Sequence, residues 1–286
     1  ADIQKGINEY EGITNIHKLL NSPNTINLGY NSYNFDDNIL RFAFYHNLLP
    51  AYTHQYQNGC YRADIMPIAL LFFIFENDII NWPITDNKYS FKLENINEAN
   101  NLYKGKAHNA LVDTIVTLEL TKRFNEKPDV LNHFLSYFDK EKDYQYTMQS
   151  IQNQNGIFDS NLPIVNIANV QYGNSKGFTT PALFIGSKAD MKNARFLLLD
   201  NDELPNVTME NIADTTWSKN KKYGDNNIIL PDDPRSWQMY TTERINRVTE
   251  NIERIKNTPN LWEAIIRHHH SKHEFPKAEQ DIDAAL

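Results

Sequence analysis

Two short stretches hold residues whose types and spacing could do chemistry. The first, Gly29-Tyr30-Asn31-Ser32-Tyr33-Asn34-Phe35-Asp36-Asp37, ends in paired carboxylates. The second, Ala107-His108-Asn109-Ala110-Leu111-Val112-Asp113, sets a histidine four intervening residues before an aspartate. Carboxylates from a strand-end loop and a helix can converge on a divalent cation, which prefers hard oxygen ligands. A nearby imidazole can deprotonate the water that attacks a phosphodiester. Each feature also has a plainer reading. Adjacent aspartates before a helix often cap its unpaired amides, an alternative that applies most to Asp37. A histidine and aspartate at this spacing are common by chance.

The elements that must position these residues follow from periodicity. Residues 8–20 place Ile13, Ile16, Leu19 and Leu20 at helical spacing, and Ser22-Pro23-Asn24 stops the pattern. Ile26 to Tyr30 reads as a short strand, and from Asp37 onward Ile39, Leu40, Phe42 and Ala43 read as helix. Further helices are expected near 64–76, from Ser90, and over 107–123. From about residue 150 the texture changes. The polar stretch Gln152-Asn153-Gln154-Asn155-Gly156 precedes short apolar runs at 162–170, 178–186 and 195–199, which reads as a β-rich module. After Pro231-Asp232-Asp233-Pro234 the pattern turns helical, through Ile245, Val248, Ile252 and Ile255 and then Leu261 to Ile266. Asp232-Asp233-Pro234 itself reads as a turn.

At 286 residues there is room for more than one module, and 41% hydrophobic against 22% charged residues fits a folded chain. The formal net charge of −8 advertises no polyanion partner overall, although an enzyme that threads one strand needs only a local basic groove. The single cysteine, Cys60, excludes an intrachain disulfide and leaves a cytoplasmic setting as the expectation. The apolar run 65–75 falls short of the roughly 20 residues that span a bilayer, so no membrane role is expected. The run His268-His269-His270 with His273 invites a metal reading, yet consecutive histidines point in different directions on a helix.

Four elements in order carry a resemblance to a known family. GYNSYNFDDNILR (29–41), IINWP (79–83), SFKLENINEAN (90–100) and AHNALVDT (107–114) look like the corresponding blocks of exodeoxyribonuclease I, a DEDDh-class 3′→5′ exonuclease acting on single-stranded DNA. The resemblance implies an α/β ribonuclease H-like exonuclease core over 1–150, a small SH3-like β-barrel over 151–222 and a helical extension over 223–286. By the same resemblance Asp36 and Asp113 are metal-binding carboxylates and His108 is the general base. They would act with two Mg²⁺ ions, or Mn²⁺, to release nucleoside 5′-monophosphates. Single-stranded DNA is the implied partner, with a single-stranded DNA-binding protein as a second. Where that family would place a basic contact before the INWP turn, this chain has Glu76.

Tyr30, Tyr33, Phe35 and Tyr56 could stack on bases, although Phe35 is the one expected in the core. Asn31, Arg62, Lys104 and Lys106 complete the expected strand contacts. The chain also departs from the family. The strand bearing Asp-x-Glu, with two further ligands, is not found, and Glu9-Tyr10-Glu11 reads as a solvated helix face rather than a substitute. The family's stretch between Leu230 and Pro231 is lacking, and its helical region continues past Leu286. Two alternatives therefore stand beside an active exonuclease: a non-catalytic single-stranded DNA-binding or scaffold relative, and an RNA-directed nuclease of the same superfamily.

Overall fold

Asn8 opens the first helix, where its side chain accepts the Glu11 amide at 2.9 Å and satisfies one unpaired donor of the first turn. That helix, α1 (Glu9–Leu20), keeps Glu9 and Glu11 exposed at its positive end, so the solvated-face reading holds. It stops at Asn21, whose side chain donates to the His17 carbonyl at 2.8 Å. The computed structural model describes residues 6–33, 35–105, 110–153, 157–158, 160–187 and 193–270. They form two compact units, one up to Met66 and one from Pro67 onward.

In the first unit β1 (Ile26–Gly29) runs parallel to β2 (Tyr61–Asp64), with Ile26 opposite Tyr61 and Gly29 opposite Asp64. Parallel strands need a crossover, and α2 (Asp36–His46) supplies it. Phe44 of α2 is fully buried and packs edge-on against His17 at 4.8 Å and His54 at 5.3 Å, which ties α1 and α2 to the loop before β2.

The chain then enters α3 (Ile65–Phe75), in which Ile68 to Ile74 are all buried. A helix apolar on every side belongs in a core. Pro67 falls in its first turn, where the missing N–H has no intrahelical partner to lose. In the second unit a tight hairpin joins β3 (Ile84–Thr85) to β4 (Lys88–Tyr89) through Asp86 and Asn87, both left-handed. The next helix, α4 (Leu93–Asn100), begins three residues after the expected Ser90 start. The Ser90 hydroxyl is engaged instead by the Asn95 side chain at 2.8 Å. Three more helices follow, α5 (Ala110–Phe124), α6 (Pro128–Leu135) and α7 (Lys140–Asn153). Phe72 of α3 stacks on Phe124 of α5 at 4.3 Å and meets Phe134 of α6 edge-on at 5.1 Å.

The β-rich stretch forms one antiparallel sheet from β5 (Ile164–Ala168), β6 (Thr179–Ser187), β7 (Asn193–Leu198), β8 (Ser218–Lys222) and β9 (Ile228–Ile229), in the order β8-β7-β6-β5-β9. A short helix, α8 (Ile212–Thr215), lies between β7 and β8, and α9 (Thr242–Asn257) and α10 (Pro259–His270) close the described chain. Because strand side chains alternate, the sheet has two apolar faces. Leu183, Ile185 and Leu197 pack with Val248, Ile252 and Ile265 of α9 and α10. Ala182, Ala194 and Phe196 pack with Tyr144 and Ile151 of α7.

Sequence periodicity missed β8, because Ser-Lys-Asn-Lys-Lys carries no apolar alternation. What holds it is partly ionic. Lys221, with 0% of its side chain exposed, reaches Asp143 of α7 at 2.6 Å and Asp225 at 3.5 Å. At the far end of β7, buried Asp200 receives Arg244 at 2.9 Å and Arg247 at 2.5 Å from α9.

Candidate functional site

The chemistry-bearing turn of the first unit is built from backbone constraints. At Gly29, where β1 ends, an added Cβ would stand 2.5 Å from the Ser32 Cβ, so no larger residue fits without displacing the turn. Asn31 has φ 54°, a left-handed conformation that its short polar side chain tolerates. Its amide donates to the Asp64 carboxylate at 2.7 Å, and the Met66 amide donates to the same oxygen at 3.0 Å. Asp64, at the end of β2, thereby pins the turn to the neighbouring strand. The Asp37 amide donates to the Ser32 carbonyl at 3.1 Å, which delivers the chain into α2.

The paired aspartates then part company. Asp36 is exposed and has no ion pair among the described residues. Asp37 is buried and ion-paired with Arg62 of β2, whose guanidinium lies 4.1 Å from the centre of the Tyr33 ring. The residue preceding α2 is Phe35, with no side-chain capping bond, so capping does not account for Asp37; its charge answers Arg62. Tyr33, Asp37 and Arg62 thus form one cluster, in which the half-buried Arg62 is held by the other two.

Phe35 corrects the expectation of a core residue. It is 67% exposed, because α2 turns Asp37 and Phe44 inward and leaves Phe35 on the outer side. Tyr56 is 62% exposed, Tyr30 is half-buried and Asn31 is exposed. No sequence signal singles out His54, yet it is buried beside this cluster's helix. Burial, reinforced by the positive charges of His17 and Arg41, lowers its pKa to about 4.

In the second unit Asp113 is half-buried in the first turn of α5, and its carbonyl accepts the Thr117 hydroxyl at 2.8 Å. Lys104 is exposed. His108 and Lys106 lie outside the described residues. Glu76 and Asp78 are bridged by Lys127, at 2.7 and 2.9 Å. His269 Nε2 lies 2.8 Å from the Thr216 hydroxyl and His270 Nε2 2.9 Å from the Ile185 carbonyl, so this run is used in packing α10 onto the sheet. Among the described residues no group of three or more His, Cys, Asp and Glu side chains is arranged to hold a metal ion. As donors, the exposed carboxylate of Asp36 and the half-buried one of Asp113 suit a hard divalent cation, whereas Asp37 is already neutralised.

No protein-family model matches the chain. It is 35% identical over 138 residues to exodeoxyribonuclease I of Buchnera aphidicola subsp. Baizongia pistaciae, covering 48% of this chain and 29% of the relative. Over 140 residues it is 31% identical to exodeoxyribonuclease I of Escherichia coli strain K12, covering 48% and 30%. The chain is exodeoxyribonuclease I-like. The crystal structure of E. coli exonuclease I in complex with a dA16 oligonucleotide superposes with a TM-score of 0.78 at 20% identity, over 98% of this chain and 62% of that one. The ExoI/SSB-Ct complex gives 0.73 at 18% identity, over 98% and 63%. This likeness shows that the exodeoxyribonuclease I-like chain has the exonuclease fold. The matched stretch spans less than a third of the two curated relatives. No helix among the described residues is long and apolar enough to cross a membrane.

Proposed function

We propose that this chain carries part of a 3′→5′ exodeoxyribonuclease that hydrolyses single-stranded DNA to nucleoside 5′-monophosphates. The observation that supports it best is the division of labour between neighbouring aspartates at the end of β1. Asp37 is spent on Arg62, while the Asp36 carboxylate is left exposed in the first turn of α2. The match to an exonuclease I solved with a bound oligonucleotide supports single-stranded DNA as the substrate class in this reading.

In this reading Asp36 and Asp113 hold divalent cations, with Mg²⁺ the preferred ion. A bound pair of such ions would stabilise the attacking and leaving oxygens of a phosphodiester displacement. His108 takes the proton of the attacking water. Tyr30, Asn31, Tyr33 and Tyr56 meet the bases and sugars, Lys104 and Lys106 meet phosphates, and Arg62 contributes through the Tyr33 ring it supports. The finer architecture belongs to the same proposal: a ribonuclease H-like core over 1–150, an SH3-like barrel over 151–222 and a helical extension over 223–286. A single-stranded DNA-binding protein is the second proposed partner, since an exonuclease I was solved with SSB-Ct. Glu76 stands where that family would place a basic contact, and it is ion-paired with Lys127.

The test is release of mononucleotides from the 3′ end of single-stranded DNA, with and without Mg²⁺, by this chain and by a version extended upstream. Metal-dependent release that His108→Ala abolishes while strand binding persists supports the exonuclease. Binding without hydrolysis in both versions supports a non-catalytic DNA-binding relative, and release from RNA alone supports a ribonuclease.

A further inference from the structure

The segment that carries Asp36 is gripped at both of its ends by one strand. Asp64, at the end of β2 and opposite Gly29 in the ladder, is 3% exposed. One of its carboxylate oxygens accepts the Asn31 amide at 2.7 Å and the Met66 amide at 3.0 Å. Two residues earlier on β2, and so on the same side of it, Arg62 is ion-paired with Asp37. Asn31 and Asp37 bound the stretch 31–37, and the exposed carboxylate of Asp36 lies inside it.

The bond to Met66 has an ordinary explanation. Asp64 immediately precedes α3, and a carboxylate in that place caps an amide of the first turn. Capping does not call for the Asn31 amide, which lies 33 positions away at the exit of the other strand. That amide is presented by a left-handed residue, φ 54°, in a turn that Gly29 keeps tight. From there the path into α2 is short, since the Ser32 carbonyl accepts the Phe35 amide at 3.3 Å and the Asp37 amide at 3.1 Å. The direction in which α2 leaves the turn, and with it the place of the Asp36 carboxylate, therefore depends on where Asn31 is held.

We infer that Asp64 is a positioning residue for Asp36, fixing the place of that carboxylate through the Asn31 amide without itself meeting a cation. The inference rests on the divalent-cation reading of Asp36 in the preceding subsection and adds a residue to it. What Asp64 contributes is an acceptor oxygen in a fixed place. An asparagine side chain carries such an oxygen and an alanine does not. The charge of Asp64 is not what the turn uses, so the isosteric amide should serve it nearly as well.

The experiment titrates Mn²⁺ alone into the isotope-labelled 286-residue chain. It follows paramagnetic broadening of the amide signals of 31–37 together with hydrogen exchange of the Asn31 amide. In the unaltered chain the broadening centres on Asp36 and the Asn31 amide exchanges slowly. Asp64→Ala is expected to raise the Mn²⁺ dissociation constant about tenfold and to speed Asn31 exchange, with the second unit unchanged. Asp64→Asn should restore most of both. Gly29→Ala displaces the same turn without touching Asp64 and should weaken Mn²⁺ in the same direction, so it decides the matter where Asp64→Ala does not fold. Unaltered Mn²⁺ affinity in folded Asp64→Ala overturns the inference and leaves the nuclease reading standing. Equal losses in Asp64→Asn and Asp64→Ala also overturn it, because Asp64 would then act by its charge. Absence of broadening near Asp36 in the unaltered chain overturns the cation reading and the inference with it.

Discussion

The parallel ladder of the first unit and the five-stranded sheet of the second solve the same problem in opposite ways. The five-stranded sheet of the second unit has both faces covered, by α9 and α10 on one side and α7 on the other, and even its buried charges are paired. The two-stranded ladder of the first unit is four residues long on each strand, and the helix that crosses it leaves Phe35, Ile39 and Phe42 open to solvent. A short parallel pair has little apolar area to bury, so it contributes geometry more than stability. It is also where the exposed carboxylate stands. Stability is concentrated in the second unit, and the first supplies positioned polar groups.

The largest expected effect breaks the closed side of this contrast. Lys221→Met leaves Asp143 and Asp225 buried without their cation and should cost about 3–5 kcal/mol, read as a fall in the urea midpoint of the second unit. A change below about 1 kcal/mol would mean that the triad is hydrated rather than closed.

A smaller effect separates the two neighbours on α2. Asp37→Asn removes the carboxylate charge that faces the Arg62 guanidinium and should destabilise the first unit by about 1–3 kcal/mol. Asp36→Asn should shift stability by less than about 0.5 kcal/mol while abolishing Mg²⁺-dependent hydrolysis. Equal losses of stability in the two variants would break the division of labour.

The smallest concerns acid. His54 takes up a proton near 6.5 when unfolded but only near about 4 when folded, so the unfolded chain binds more protons between those values. The stability it contributes is fully present above pH 6.5 and is lost as pH falls toward 4. Hydrogen exchange of α2 amides at pH 7 and pH 5 should show this loosening, and His54→Gln should flatten it while the second unit stays unaffected.

Much of this arrangement was legible in the chain itself. Residues 26–30 announce a short strand that gives way to helix from Asp37, the apolar run 65–75 announces a helix, and the runs at 162–170, 178–186 and 195–199 announce strands. All of these rest on local sterics and on periodicity, which neighbours in sequence carry. β8 escaped because a strand made of lysines has no apolar alternation, and Lys221 is buried only because Asp143 arrives from 78 residues away.

The sequence by itself determined which residue types were present and the local turns and helices that carry them: the paired aspartates after a strand, the histidine and aspartate of the second motif, and the heptad-like spacing of α9. Only the tertiary structure decided which aspartate is free, that Phe35 faces out and that His54 is held neutral. The physical reason is that burial and pairing are properties of what comes near in space. Arg62 meets Asp37 across 24 intervening positions, a juxtaposition that no local pattern encodes.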